Sequence, residues 1–109
     1  MTGYLGEFEE LVLLTVASLY DEAYGVSVKE EIERRCDRDV SIGSLHSTIA
    51  RLEDKGYLKS WLGEPSQVRG GRRKRYFQVT DAGKTALHEI KSLRDDLWKE
   101  SRAQLTVTK

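Results

Sequence analysis

The sequence predicts a mostly α fold that carries a β-hairpin wing and ends in a long C-terminal helix. Three observations carry that expectation. Apolar residues recur at helical spacing in three successive segments before residue 56. Two stretches of β-type composition, "YLKSWLGE" and "RRKRYFQVT", then flank a loop with the proline and glycines of a hairpin tip. From Asp81 the helical period returns and holds to Leu105.

In the first segment, residues 6–20, Phe8, Leu11, Val12, Leu14 and Leu19 share a helical face. Acids crowd its first turn, where they complement the helix dipole. "DEAYG" breaks the pattern, with Gly25 as the turn residue. Ser27 is the expected cap of the second helix, Glu30 completes a capping box, and Val28 and Ile32 form the inner face.

The third helix runs from an N-cap at Ser41 to a stop at Gly56. Ile42, Leu45, Ile49 and Leu52 fall within a narrow arc. The opposite face carries Gly43, Ser44, Ser47, Thr48 and Arg51. Small polar residues there allow close approach to another surface, which the long Glu and Lys side chains of a solvated face do not. In the hairpin Phe77 and Val79 alternate inward and Trp61 anchors the strand, while Thr80 caps the last helix. Three helices, a hairpin and a helix are the order of a winged helix-turn-helix, whose third helix enters the DNA major groove. Residues 1–80 are expected to form that domain, and residues 81–109 a dimerisation helix and tail.

The chain is formally neutral, but its charge is segregated. Residues 1–40 carry ten acids against four bases, and residues 57–80 carry six bases against one acid. One basic face suffices to bind a polyanion, and an acidic remainder keeps the protein soluble. No apolar run is long enough to cross a bilayer, and the start "MTGYLGEFEE" lacks the basic-then-apolar pattern expected of a signal peptide. A lone cysteine, Cys36, excludes an intramolecular disulfide and suits the cytoplasm. His46, His88 and Cys36 do not have metal-ligand spacing, so no metal is expected. No cofactor loop or nucleophile–base motif stands out, so the chain is not expected to be an enzyme.

"SIGSLHSTIARLEDKGYL" and "GGRRKRYFQVTDAG" resemble the recognition helix and the second wing strand of the PadR family of bacterial transcriptional regulators. The resemblance extends over roughly residues 5–90. It implies a DNA-binding repressor whose recognition-helix contacts are Ser41, Gly43, Ser44, His46, Ser47, Thr48 and Arg51. His46 stands where the family commonly has tyrosine, and it can still donate a hydrogen bond to phosphate. The wing and its flanks supply Lys55, Lys59, Arg69, Arg72, Arg73, Lys74 and Arg75 as phosphate ligands.

The last helix would measure about 37 Å over residues 81–105, more than a core of this size covers. Ala86, Ile90, Leu93 and Leu97 follow a heptad seam with Leu87 and Trp98 alongside. The expected partner is a second copy, with Phe8, Leu11, Ile90, Leu93, Leu97 and Trp98 at the interface and an inverted-repeat operator. Some small members of the family bind planar drug-like molecules between aromatic residues at the dimer centre. Trp98 could serve that purpose with Phe8 as its neighbour, but the favoured reading is that Trp98 simply packs the interface. The rival from another class is a winged-helix protein-interaction module without DNA binding. It is disfavoured because the exposed face of the third helix lacks aromatic or aliphatic anchors.

Overall fold

A computed structural model describes residues 5–64 and 73–107. The elements are α1 (Glu7–Leu19), a 3₁₀ turn (Tyr20–Glu22), α2 (Gly25–Cys36), α3 (Ile42–Asp54), β1 (Leu58–Leu62), β2 (Arg75–Val79), α4 (Asp81–Glu100) and α5 (Arg102–Leu105). The strands pair antiparallel, with Leu58 opposite Val79, Ser60 opposite Phe77, Trp61 opposite Tyr76 and Leu62 opposite Arg75. This is the expected mostly α architecture with one hairpin.

The core lies between the three N-terminal helices and one face of the hairpin. α1 supplies Val12, Leu13 and Val16, α2 supplies Val28 and Ile32, and α3 supplies Leu45, Ile49 and Leu52. Tyr57, Leu58, Phe77 and Val79 close it from the hairpin. The α1 face differs from expectation: Leu14 is 48% exposed, and Leu13 and Val16 are the inward residues. Val12, Leu13 and Val16 follow the i, i+1, i+4 pattern of a single face, from which Leu14 is turned away. Ile42, expected in the α3 arc, is 47% exposed at the open first turn of its helix.

Ser27 is not the cap of α2. The helix begins two residues earlier, with Gly25 inside its first turn and Tyr24 at the N-cap in extended conformation. Tyr24 forms a β-bridge with Tyr76, so the chain passes directly from sheet pairing into helix. Ser27 Oγ instead accepts from the Tyr24 N–H at 3.0 Å, the reciprocal arm of a capping box.

The caps at Ser41 and Thr80 are as expected. Ser41 Oγ accepts from Ser44 N–H, and Thr80 Oγ1 accepts from Gly83 N–H, both at 3.1 Å. Gly56 follows α3 with φ +78°, a left-handed conformation suited to glycine. The last helix is shorter than expected. α4 ends at Glu100, where Ser101 turns its N–H to the carbonyls of both Leu97 and Trp98. Its 20 residues span about 30 Å. Only Gly83 and Ala86 are buried along it, so most of α4 stands clear of the core. The radius of gyration, 16.5 Å, exceeds the roughly 13 Å of a compact chain this long for that reason.

Candidate nucleic-acid interface

The outward surface of α3 is formed by Ser41, Gly43, Ser44, His46, Ser47 and Ala50, all exposed. Thr48, expected among them, is 1% exposed and belongs to the core. It lies three residues after Leu45 and four before Leu52, so the helical period places all three on one face. Its hydroxyl donates to the Ser44 carbonyl at 2.8 Å and accepts from Arg51 Nη2 at 3.1 Å.

Arg51 and Lys55 stand on the flank of α3 beside α1. Glu9, buried on α1, binds Arg51 Nε through Oε2 at 3.3 Å and Lys55 Nζ through Oε1 at 2.7 Å. Glu9 Oε1 also accepts the Gly6 N–H at 2.8 Å. Burial alone would raise the Glu9 carboxyl. The bonds from Lys55, Gly6 and Arg51 outweigh it and hold the group below the usual carboxylate range. Glu9 was not visible as a site residue in the sequence, although a signal existed: it lies three, four and seven residues before Val12, Leu13 and Val16. A carboxylate at that spacing is turned inward and requires a partner.

Arg73, Lys74 and Arg75 are exposed on the described part of the wing, whereas Arg69 and Arg72 lie outside the described residues. Arg75 Nη1 donates to Ser60 Oγ at 3.0 Å, and Ser60 Oγ donates to Glu53 Oε2 at 3.4 Å. Lys74 Nζ sits 4.1 Å from the centre of the Tyr24 ring. The Tyr24 ring in turn meets Tyr76 edge-on at 5.7 Å. Between the start of α2, α3 and β2 runs a groove of about 480 Å³ lined by Tyr24, Ile42, His46, Glu53, Lys74 and Arg75. The fold therefore brings His46 to the basic wing across 28 residues of chain. Lys59 is exposed, but alternation puts it on the hairpin face of Trp61 and Gln78, opposite to that of Ser60 and Arg75.

Along α4, Leu93, Leu97 and Trp98 are 45%, 56% and 64% exposed, and Ile90 is half-buried. Phe8 and Leu11 pack partly against the core, with the Arg38 guanidinium over the Phe8 ring at 5.3 Å. A groove of about 1240 Å³ between α1, the hairpin and α4 is lined by Leu14, Tyr20, Trp61, Leu87, His88 and Trp98 among others. Phe8 does not line it. Trp61, expected only to anchor the hairpin, stacks on Tyr76 at 6.1 Å and opens into this groove with Trp98. Among the described residues no helix is long and apolar enough to cross a membrane, and no His, Cys, Asp and Glu cluster could hold a metal.

Residues 13–89 match the model of the transcriptional regulator PadR-like family. A transcriptional regulator of Mycobacterium tuberculosis, Rv3488, is 35% identical over 80 residues, covering 73% of this chain and 70% of its own. A PadR-like regulator from Bacillus cereus shares the fold with a TM-score of 0.73 and 20% identity, over 93% of each chain. A PadR-like factor from Bacteroides fragilis gives 0.72 and 22%, covering 91% of this chain and 89% of its own.

Proposed function

Because the chain belongs to the PadR-like family of transcriptional regulators, we propose that it is a cytoplasmic repressor that binds an inverted-repeat operator as a homodimer. Residues 1–80 act as the DNA-binding domain and residues 81–109 as the dimerisation arm. The observation that carries this reading is that His46, on the exposed side of α3 with Gly43, Ser44 and Ser47, lines one groove with the wing cations Lys74 and Arg75, next to which Arg73 is also exposed. Small side chains let α3 approach the base edges, hydroxyls and His46 donate to bases or phosphates, and the wing grips the backbone. Ser41 contributes its backbone at the α3 N-terminus, where the helix dipole favours phosphate. Arg69 and Arg72 add two further cations to the phosphate contacts of this reading, and Lys59 is a flanking contact for a bent duplex. Thr48 has no part in DNA contact, and Arg51 and Lys55 contribute from the edge.

The unpartnered apolar surface of α4, with Leu93, Leu97 and Trp98, supports dimerisation, to which Phe8, Leu11 and Ile90 add their exposed fractions. A planar effector would enter beside Trp98, with Trp61 rather than Phe8 as the aromatic neighbour within the chain. Such a ligand would act by changing the separation of the two recognition helices.

Selection of bound sequences from a random duplex pool tests the reading. An inverted repeat and a steep salt dependence are expected, together with loss of binding in Ser47→Glu at unchanged melting temperature. Salt-insensitive or absent binding to every duplex overturns it.

A further inference from the structure

Arg51 has five N–H donors, and the structure accounts for two of them: Nε on Glu9 and Nη2 on Thr48. The Arg51 side chain is nevertheless 56% exposed. Its orientation is therefore set from behind, by α1 and by its own helix, while its outer edge stays open. Glu9 is itself fixed, with a side chain only 7% exposed and a bond from the Gly6 N–H to Oε1. The next residue of α1, Glu10, ties that helix to α4 through Arg94 at 2.8 Å. A rigid carboxylate of this kind has two effects on the cations it touches. It cancels part of their charge toward an approaching polyanion, and it removes their rotamer freedom.

We propose that Glu9 is a positioning residue for DNA recognition. It holds Arg51 in one orientation at the edge of the recognition face and withholds Arg51 and Lys55 from indiscriminate phosphate contact. The effect is to lower affinity for any duplex and to raise the preference for the cognate one. This inference rests on the proposed DNA-binding function of α3, and it assigns to α1 a role in specificity besides its packing.

The test compares the native chain with Glu9→Gln on the selected operator and on a scrambled duplex, from 50 to 200 mM salt. Native binding with a salt slope is the control for the DNA-binding reading, and its absence would overturn that reading. Given native binding, Glu9→Gln should bind the scrambled duplex about 3- to 10-fold tighter. Its salt slope should steepen by about one, for the Arg51 guanidinium released. The ratio of operator to scrambled affinity should fall about tenfold. In an Arg51→Gln background the steepening should shrink by about one.

Thr48→Val serves as the second variant, since it removes the other hold on Arg51 at almost constant shape. It should lower the specificity ratio about threefold with an unchanged salt slope. It decides the matter alone if Glu9→Gln does not fold. A native slope and ratio in Glu9→Gln, even with a lower melting temperature, would assign Glu9 to folding only and overturn the proposal, as would a native ratio in Thr48→Val.

Discussion

The ammonium of Lys74 lies 4.1 Å from the centre of the Tyr24 ring, so a wing cation rests on the residue that opens α2. The same tyrosine bridges Tyr76 through its backbone and meets the Tyr76 ring edge-on. One residue earlier, Ala23 accepts the Phe77 N–H at 2.9 Å. The base of the wing is thus fastened to the entrance of the helix-turn-helix by backbone and by aromatic contacts. A partly exposed cation–π contact contributes about 0.5–1 kcal/mol.

Two substitutions separate the charge of Lys74 from its placement. Lys74→Ala should reduce the salt slope of duplex binding by about one. Tyr24→Leu keeps the charge but removes the ring beneath it. Affinity should then fall about 2- to 5-fold at an unchanged slope. Tyr24→Phe retains the ring face and should bind as the native chain does. Equal behaviour of the Leu and Phe variants would show that the ring does not place the lysine.

Gly83 is tied to its place by packing rather than by backbone conformation. A Cβ there would strike the Tyr57 carbonyl oxygen and stand 2.8 Å from Val79 Cγ1. That carbonyl also accepts the Thr80 N–H at 3.0 Å, so it has little freedom to move. Alanine recovers about 1 kcal/mol of helix propensity, but overpacking against fixed backbone costs about 1–3 kcal/mol or more. Gly83→Ala should therefore lower the melting temperature by several degrees, with α4 displaced from the hairpin. A rise in melting temperature would contradict this packing account.

The parts of the fold legible in the sequence are those decided within a few residues. Ser41 and Thr80 could be identified as caps because each hydroxyl serves an amide three positions on. Phe77 and Val79 could be placed inward from simple alternation. Thr48 is polar by type but belongs to the core by angular position, and the two signals conflict. Its hydroxyl is satisfied within its own helix, so a polar residue can occupy a core position there. The local spacing of Glu9 marks it only as inward-turned, because its partners lie 42 and 46 residues away, a distance that no local pattern spans. The break at Ser101 carries no glycine or proline to announce it.

Acid stability offers a further check on the surface of α2. Glu31 accepts from Arg34 at 2.7 Å and from Arg35 at 2.5 Å. These bonds, that of Arg34 foremost, draw its carboxyl from 4.5 down to about 2. A carboxylate lowered in the folded state stabilises fully above its unfolded value, and this contribution is lost as pH falls toward the folded one. Glu31→Gln should therefore show a flatter fall in melting temperature between pH 4.5 and 2, with the two proteins converging near pH 2. Glu9 and Glu33 are lowered as well, so some slope should remain in the variant. Parallel curves across that window would mean that the Arg34 and Arg35 bonds do not persist in solution.

The dimer proposal makes the sharpest demand on α4. Leu97 is 56% exposed and contributes nothing to the core of its own chain, so Leu97→Glu should leave the stability of a dilute monomer within about 0.5 kcal/mol of native. In a dimer seam the same change would bury a carboxylate against apolar neighbours. A hot-spot loss of about 2 kcal/mol or more raises the dissociation constant about 30-fold or more. Sedimentation should then show monomers at concentrations where the native chain is dimeric. DNA binding should divide in the same way: affinity for a single half-site is retained, and the gain from a second half-site in the inverted repeat is lost because the two recognition helices are no longer linked. Unchanged sedimentation in Leu97→Glu would exclude this surface of α4 from the dimer, whatever the effect on DNA.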